Sequence, residues 1–61
     1  MFTLDQLRDA YKHNARQIDL ADVDTMISQQ RSWGQFACAS WLFHHRLDVV
    51  RIVNEIARRN S

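Results

Sequence analysis

The 61-residue sequence contains no proline and a single glycine, Gly34. Folds built from short strands and tight turns depend on both residues, so their scarcity argues against a β-rich fold. Cysteine is equally scarce. Cys38 stands alone, which excludes an internal disulfide, and no set of cysteines and histidines has zinc-finger spacing. With 46% apolar residues and no internal repeat or linker, the chain is predicted to form one ordered helical domain, residues 1–61.

The sequence also lacks an excess of charge of one sign and a long hydrophobic run. The formal net charge is +1, too small for a dedicated nucleic-acid binder. The most apolar run, Phe36 to Phe43, is far shorter than the ~20 residues of a membrane span. The N-terminal residues do not resemble a signal peptide. A lone cysteine without an export signal favours the cytoplasm, and no membrane partner is expected.

The small size of the chain favours self-association. A domain of about 60 residues buries only ~60% of the surface that its unfolded chain exposes. Its core rarely supplies more than ~3–5 kcal/mol without disulfides, a metal or oligomerisation. The sequence has neither a disulfide nor a metal motif, so oligomerisation is the remaining way to stabilise so small a core.

The distribution of apolar residues in the C-terminal half also favours self-association, because the predicted helix is apolar on two opposite sides. A surface helix has one apolar face, and a helix that is apolar all round must be covered on all sides. At 100° per residue, one stripe of the C-terminal half contains Trp33, Phe36, Phe43 and Leu47; the other contains Cys38, Leu42, Val49, Val53 and Ile56, flanked by Trp41 and Ile52.

The first two helix starts are marked by capping patterns. Thr3 and Gln6 form a capping box, which predicts a first helix from about Leu4 to Ala15. Asp19 is predicted to cap a second helix, with Asp22 at its third position. An alternative interpretation takes Gln17 to Ala21 as a short strand, which in a symmetric dimer could pair with its own copy.

The third start is predicted at Ser32, with Gln35 completing another capping box. No strong helix breaker follows, so one long C-terminal helix from Gln35 to Arg59 is expected. A break near His44 to Leu47, giving two shorter helices, is the alternative.

The two adjacent histidines are the most obvious candidates for chemistry. His44 and Asp48 share a helix face, and His45 lies two turns from Cys38. Two ligands from one helix do not close a four-coordinate metal site, so neither metal nor cofactor is expected. A polar residue at a helix seam can set register, which is the role predicted for His45. Protonation of either histidine could make association pH-dependent. Cys38 is expected to pack among small residues rather than to react.

Nucleic-acid binding is the main alternative function. The segment from Asp19 to Ser40 suggests a helix–turn–helix, because two predicted helices flank a turn that contains glycine. The second of these helices would have to read a DNA groove, but its exposed side has few polar residues other than Gln35. The alternative is therefore a small transcription regulator that uses Arg58 and Arg59 on DNA phosphates. Spacings of four residues predict that Arg51–Glu55 and Glu55–Arg59 pair on a solvated helix face instead.

In size and general composition the chain resembles the short early accessory proteins of lambdoid temperate bacteriophages. The resemblance lies in its length, its opening from Met1 to Leu7 and its close from Ile52 to Arg59, and it carries no functional residue over. It implies a small dimeric α-rich factor in the host cytoplasm that acts on a host or phage protein and biases the choice between lysis and lysogeny.

These observations predict an all-α or nearly all-α fold: a small intertwined helical homodimer with a long C-terminal helix at its centre. No set of nucleophile, base and orienting group is visible, so no enzyme and no catalytic residue is expected. The predicted function is a regulatory interaction protein whose apolar groove takes an amphipathic helix of a protein partner. The residues expected at the dimer or partner interface are Trp33, Phe36, Cys38, Trp41, Leu42, Phe43, His45, Val49, Ile52, Val53 and Ile56.

Overall fold

The computed structural model describes residues 2–61 and folds them into four helices. These are α1 (Leu4–Ala10), α2 (Leu20–Ser32), α3 (Phe36–His44) and α4 (Arg46–Asn60). Residues 2–61 contain no strand. The predicted all-α class is confirmed, and the alternative strand at residues 17–21 is wrong.

The start of α1 is confirmed and its predicted end is wrong. The Gln6 N–H donates to Thr3 Oγ1 at 3.2 Å, and the Thr3 N–H donates to Gln6 Oε1 at 2.9 Å. The helix stops at Ala10 rather than at Ala15. Beyond it, Asn14 Nδ2 donates to the Arg16 carbonyl at 2.7 Å, and the Arg16 N–H donates to Asn14 Oδ1 at 3.3 Å. Such local side-chain-to-backbone bonds compete with a helix.

The segment after α1 is also bonded by Asn60, a side chain from the C-terminal end of the sequence. Asn60 Nδ2 donates to the carbonyl oxygens of Lys12 and Asn14, at 3.0 and 2.9 Å. Tyr11 caps the helix and its hydroxyl donates to Met26 Sδ at 3.7 Å. Burial raises the pKa of Tyr11. The connection after α1 is thus fixed by contacts with α2 and α4.

The capping box at α2 is confirmed. The Asp22 N–H donates to Asp19 Oδ1 at 3.0 Å, and the Asp19 N–H donates to Asp22 Oδ2 at 3.0 Å. Just before it, the backbone of Ile18 bonds to one side chain of α4: its N–H donates to Asn54 Oδ1 at 2.7 Å, and its carbonyl accepts from Asn54 Nδ2 at 2.8 Å. The amide of Asn54 therefore satisfies both backbone groups that a neighbouring strand would have bound.

The predicted helix start at Ser32 is wrong, because Ser32 is the last residue of α2. Gly34 follows at φ 77°, a left-handed conformation that glycine adopts without strain. Its N–H donates to the Arg31 carbonyl at 3.0 Å, and the Gln35 N–H donates to the Gln30 carbonyl at 2.8 Å. This pair of bonds is a Schellman motif, which ends a helix rather than beginning one.

The predicted continuous helix from residue 35 to 59 is also wrong, and the alternative break near residues 44–47 is confirmed. α3 ends at His44 and α4 begins at Arg46, with His45 between them at φ −117° and ψ 21°. His45 Nδ1 lies 2.8 Å from the Trp41 carbonyl oxygen. A carbonyl only accepts, so Nδ1 carries the proton in this contact.

The core draws on all four helices. Each of its members is at most 6% exposed, and Phe2, Tyr11, Ile18 and Met26 are among the half-buried residues packed against it. α1 and α2 therefore cover one of the two apolar stripes from within the same chain. The buried apolar residues are Leu7, Val23, Ile27, Ala39, Leu42, Val49, Ile52, Val53 and Ala57.

Candidate interaction surface

The four residues of one predicted apolar stripe are exposed, and they lie on three elements: the end of α2, α3 and the start of α4. Trp33 is 65% exposed, Phe36 67%, Phe43 50% and Leu47 75%. These four residues were predicted to share a helix side, and they are the stripe that α1 and α2 leave uncovered. Isolated exposed apolar residues are ordinary, but four large ones within fifteen residues make this segment a candidate interaction surface.

The segment that contains three of these residues carries no formal charge, whereas Leu47 lies between Arg46 and Asp48. No aspartate, glutamate, lysine or arginine occurs in residues 32–45, and the charged residues that bound this segment are Arg31 and Arg46. Depletion of charge is typical of the centre of a protein–protein interface. We define the α3 face as the exposed, uncharged residues Trp33, Phe36, Ala37, Ser40, Phe43, His44 and Leu47.

The remaining predicted interface residues lie elsewhere. Leu42, Val49, Ile52 and Val53 are buried in the core of their own chain, so their burial requires no second molecule. Cys38, Trp41, His45 and Ile56 are half-buried. The apolar pattern did not single out Ala37 and Ser40, which share the α3 face; at 100° per residue Ser40 falls within the predicted stripe and Ala37 lies just outside its edge.

A second apolar feature lies beside the α3 face. The Trp41 ring stacks on His45, with centroids 4.2 Å apart and planes 15° apart. Its other contact is edge-on with Phe2, at 4.7 Å and 78°. A groove of about 280 Å³ opens there, lined by Phe2, Gln35, Ala37, Cys38 and Trp41. The contribution of Phe2 was missed because its capping position predicted only a local contact with Leu7.

A hollow lies at the corner between α3 and α4. It has a volume of about 400 Å³, and Phe43 and Leu47 line it together with residues 44–46 and Asp48. The hollow exists because the chain bends at His45, which separates the exposed ring of Phe43 from Leu47. A continuous helix would have no such corner.

Histidine, cysteine and carboxylate side chains are the possible metal ligands of the described residues. Across residues 2–61, no three histidine, cysteine, aspartate or glutamate side chains are placed to hold a metal ion. His44 is exposed, whereas His45 faces the Trp41 carbonyl. Cys38 is a half-buried free thiol.

Within residues 2–61, three of the four arginines of α4 pair with carboxylates, and Arg58 is exposed without such a pair. Arg59 pairs with Glu55 at 3.0 Å, as predicted. Arg51 pairs with Asp48 at 3.2 Å rather than with the predicted Glu55. Exposed pairs of this kind contribute about 0.2–1 kcal/mol each, but they occupy side chains that a phosphate would otherwise attract.

Comparison with known proteins adds no assignment. No family model matches the chain, and neither a curated protein nor a solved structure matches it at a significant level. Within the described residues, every helix is too short or too polar to cross a lipid bilayer. The surface itself must therefore support any functional conclusion.

Proposed function

We propose that the chain is a non-enzymatic interaction protein that acts as a homodimer and regulates a protein partner by binding it. The observation that carries the proposal is the α3 face, where three aromatic rings and Leu47 stand half or more exposed on an uncharged surface. Large aromatic side chains dominate the binding energy of interfaces when they become buried.

The size of the α3 face fits a small dimer interface. An aromatic side chain buries ~150–250 Å² when fully covered, so the exposed parts of the three rings offer roughly 300–450 Å². Each partner in a standard interface buries about 800 Å². The three rings thus offer about half of that area, and the proposed dimer requires the rest from Leu47 and the other exposed residues of the face.

The proposed dimer joins two folded protomers. Each chain already has a core built from all four helices, so no helix needs to be exchanged. The sequence predicted an intertwined arrangement with one long C-terminal helix at its centre, and we propose two side-by-side protomers in its place. The break at His45 removes that helix.

The protein partner is proposed to bind the groove beside Trp41. The groove is mainly apolar and has a volume of about 280 Å³, which suits one or two apolar side chains of an amphipathic helix. The resemblance to early phage proteins supports a host or phage protein as the partner, in the cytoplasm of the host cell.

One observation favours DNA binding as the second candidate. α2 and α3 are joined by three residues with Gly34 in a left-handed conformation, as in a helix–turn–helix. Against it, α3 contains no charged side chain, whereas a recognition helix must approach phosphates. A mobility shift that weakens steeply with salt would support this candidate, and no shift at low salt would remove it.

Analytical ultracentrifugation of the full chain tests the proposed function. At micromolar concentration we expect a species of twice the 7.2 kDa chain mass, which dissociates on dilution. Circular dichroism of the same samples should show an unchanged helical spectrum, because each protomer has its own core. A folded species of 7.2 kDa at every concentration would contradict the homodimer.

A further inference from the structure

We infer that a basic surface on α1 and α4 binds the phosphate backbone of a nucleic acid without regard to its base sequence. The inference goes beyond the proposed function and does not depend on the homodimer. It starts from an uneven distribution of charge that the net charge of +1 conceals. Residues 8–16 and 51–60 contain six of the eight basic side chains and two of the seven acidic ones, so their formal charge is +4 and that of the other residues is −3.

The fold brings these two segments together from distant parts of the chain. Asn60 Nδ2 donates to the carbonyl oxygens of Lys12 and Asn14, at 3.0 and 2.9 Å. The amide of Asn54 bonds to the backbone of Ile18 on both sides. Two hollows open along this junction. We define the basic face as the exposed cations that line them: Arg8, Lys12, Arg51, Arg58 and Arg59.

The first hollow lies between the end of α1 and the end of α4. It has a volume of about 240 Å³ and is lined by Arg8, Lys12 and Arg59, together with Ile56 and Asn60. Three cations and an amide thus surround a concave site whose lining residues include no carboxylate. Guanidinium and ammonium groups donate strong, charge-assisted hydrogen bonds to phosphate oxygens.

The second hollow extends the basic face along α4. It has a volume of about 270 Å³, and Arg51 and Arg58 line it with Gln17, Asn54 and Glu55. Arg51 and Arg58 are seven residues apart, so they lie on the same side of the helix and ~10 Å apart along its axis. Duplex DNA carries one negative charge per ~1.7 Å of its length. A face that spans two hollows therefore fits an extended chain of phosphates better than a single small anion.

The ion pairs of the basic face reduce its attraction for phosphate without removing it. Arg8, Arg51 and Arg59 each bond to a carboxylate through one terminal nitrogen, at 3.1, 3.2 and 3.0 Å. A guanidinium has five N–H donors, so each of these side chains keeps donors for a second acceptor. The pair between Lys12 and Asp9 is long, at 3.7 Å.

Stabilisation of the helix dipole is the alternative explanation for these cations. A cation in the last turn of a helix is favourable, and Arg8 and Arg59 occupy the last turns of α1 and α4. The dipole explains each of these residues separately. It does not explain why cations from both ends of the sequence line one hollow whose lining lacks a carboxylate.

A lipid surface is a poorer match for the basic face than a nucleic acid. Helices that bind lipid surfaces place large apolar side chains beside their basic residues, where they insert between the lipids. The exposed large apolar residues of this chain are Leu20, Trp33, Phe36, Phe43 and Leu47, and none of them lines either hollow.

Fluorescence anisotropy of a labelled DNA duplex of ~20 base pairs tests the inference. With the full chain at 50 mM salt, we expect saturable binding at micromolar concentration, with equal affinity for two duplexes of unrelated sequence. Phosphate contacts release counterions, so four such contacts predict about a hundredfold loss of affinity between 50 and 200 mM salt.

The double variant Lys12→Gln, Arg59→Gln removes two cations of the first hollow. We expect at least tenfold weaker binding at 50 mM salt and a salt slope that is shallower by about two, because each lost phosphate contact lowers the slope by about one. The matched control is Arg31→Glu, which lowers the net charge by the same amount at the exposed end of α2, outside both hollows. The control should change the affinity less than threefold and leave the slope unchanged, with both variants helical by circular dichroism.

Each other outcome would overturn a specific part of the account. Equal losses for the double variant and the control would reduce the effect to net charge and remove the basic face. Loss of binding through Gln35→Ala but not through the double variant would place the DNA on α3 instead. No binding at 50 mM salt, or binding only to phosphatidylserine vesicles or polyglutamate, would also overturn the inference. A chain that binds the duplex but is monomeric at every concentration would overturn the homodimer alone.

Discussion

Replacing Leu42 with alanine is expected to lower the free energy of unfolding by about 2–5 kcal/mol, the range measured for buried leucines in other proteins. Leu42 is 3% exposed and belongs to the core that all four helices share. A core in a chain of this size rarely supplies more than ~3–5 kcal/mol, so the variant should be largely unfolded at room temperature. Urea titration followed by circular dichroism measures the effect.

Leu20→Ala is the matched control for this prediction. The same side chain is removed, but Leu20 is 38% exposed and lies in the first turn of α2, outside the α3 face. We expect a loss of about 1 kcal/mol or less, because most exposed substitutions change stability little. Equal losses for the two variants would show that Leu42 is not at the centre of the core.

The double variant Phe36→Ser, Phe43→Ser is expected to abolish dimerisation and leave the protomer folded. Truncation of an interface hot spot costs 2 kcal/mol or more. Removing two such rings therefore costs about 4 kcal/mol, or a roughly thousandfold rise in the dissociation constant. Both rings are at least half exposed in the protomer, so its helical spectrum should not change.

Sedimentation equilibrium measures this dissociation constant, and Leu20→Ser provides the control. Leu20 is the remaining exposed large apolar residue and is not part of the α3 face. It tests whether any loss of surface hydrophobicity weakens association. A double variant that dimerises as tightly as the wild-type chain would remove the α3 face from the interface.

Local signals predicted the beginnings of helices better than their ends. The capping boxes at Thr3 and Asp19 formed as expected, because all their partners lie within three residues. The pattern at Ser32 and Gln35 has the same spacing but a different outcome. Gly34, two residues after Ser32, closes a Schellman motif, and that motif determines where α2 ends.

The end of α1 depends on a contact that no local pattern contains, and the end of α3 involves a contact within one helical turn that helix propensity does not reveal. Asn60 binds carbonyl groups after α1 from the other end of the sequence. His45 leaves the helix with its ring stacked on Trp41 and its Nδ1 on the Trp41 carbonyl. Neither partner could be identified from propensity, because histidine and asparagine are only mildly unfavourable within a helix.

Part of the candidate surface could be predicted from the sequence. Periodicity identified both apolar stripes, but not which of them the rest of the chain would cover. That choice depends on how α1 and α2 pack, and Ile18, held by Asn54, illustrates a contact across 36 positions that sets this packing. The stripe containing Val49 and Val53 became the core, and the stripe containing Phe36 and Phe43 remained exposed.

The most direct test of the central claim is an isotope-filtered nuclear Overhauser measurement on a mixture of labelled and unlabelled chains. Such a filter retains only contacts between different molecules. We predict contacts from the ring protons of Phe36 and Phe43 in one copy to protons of the other copy. Absence of any such contact, in a sample that tumbles as a single 7.2 kDa chain, would contradict the claim that a second copy covers the α3 face.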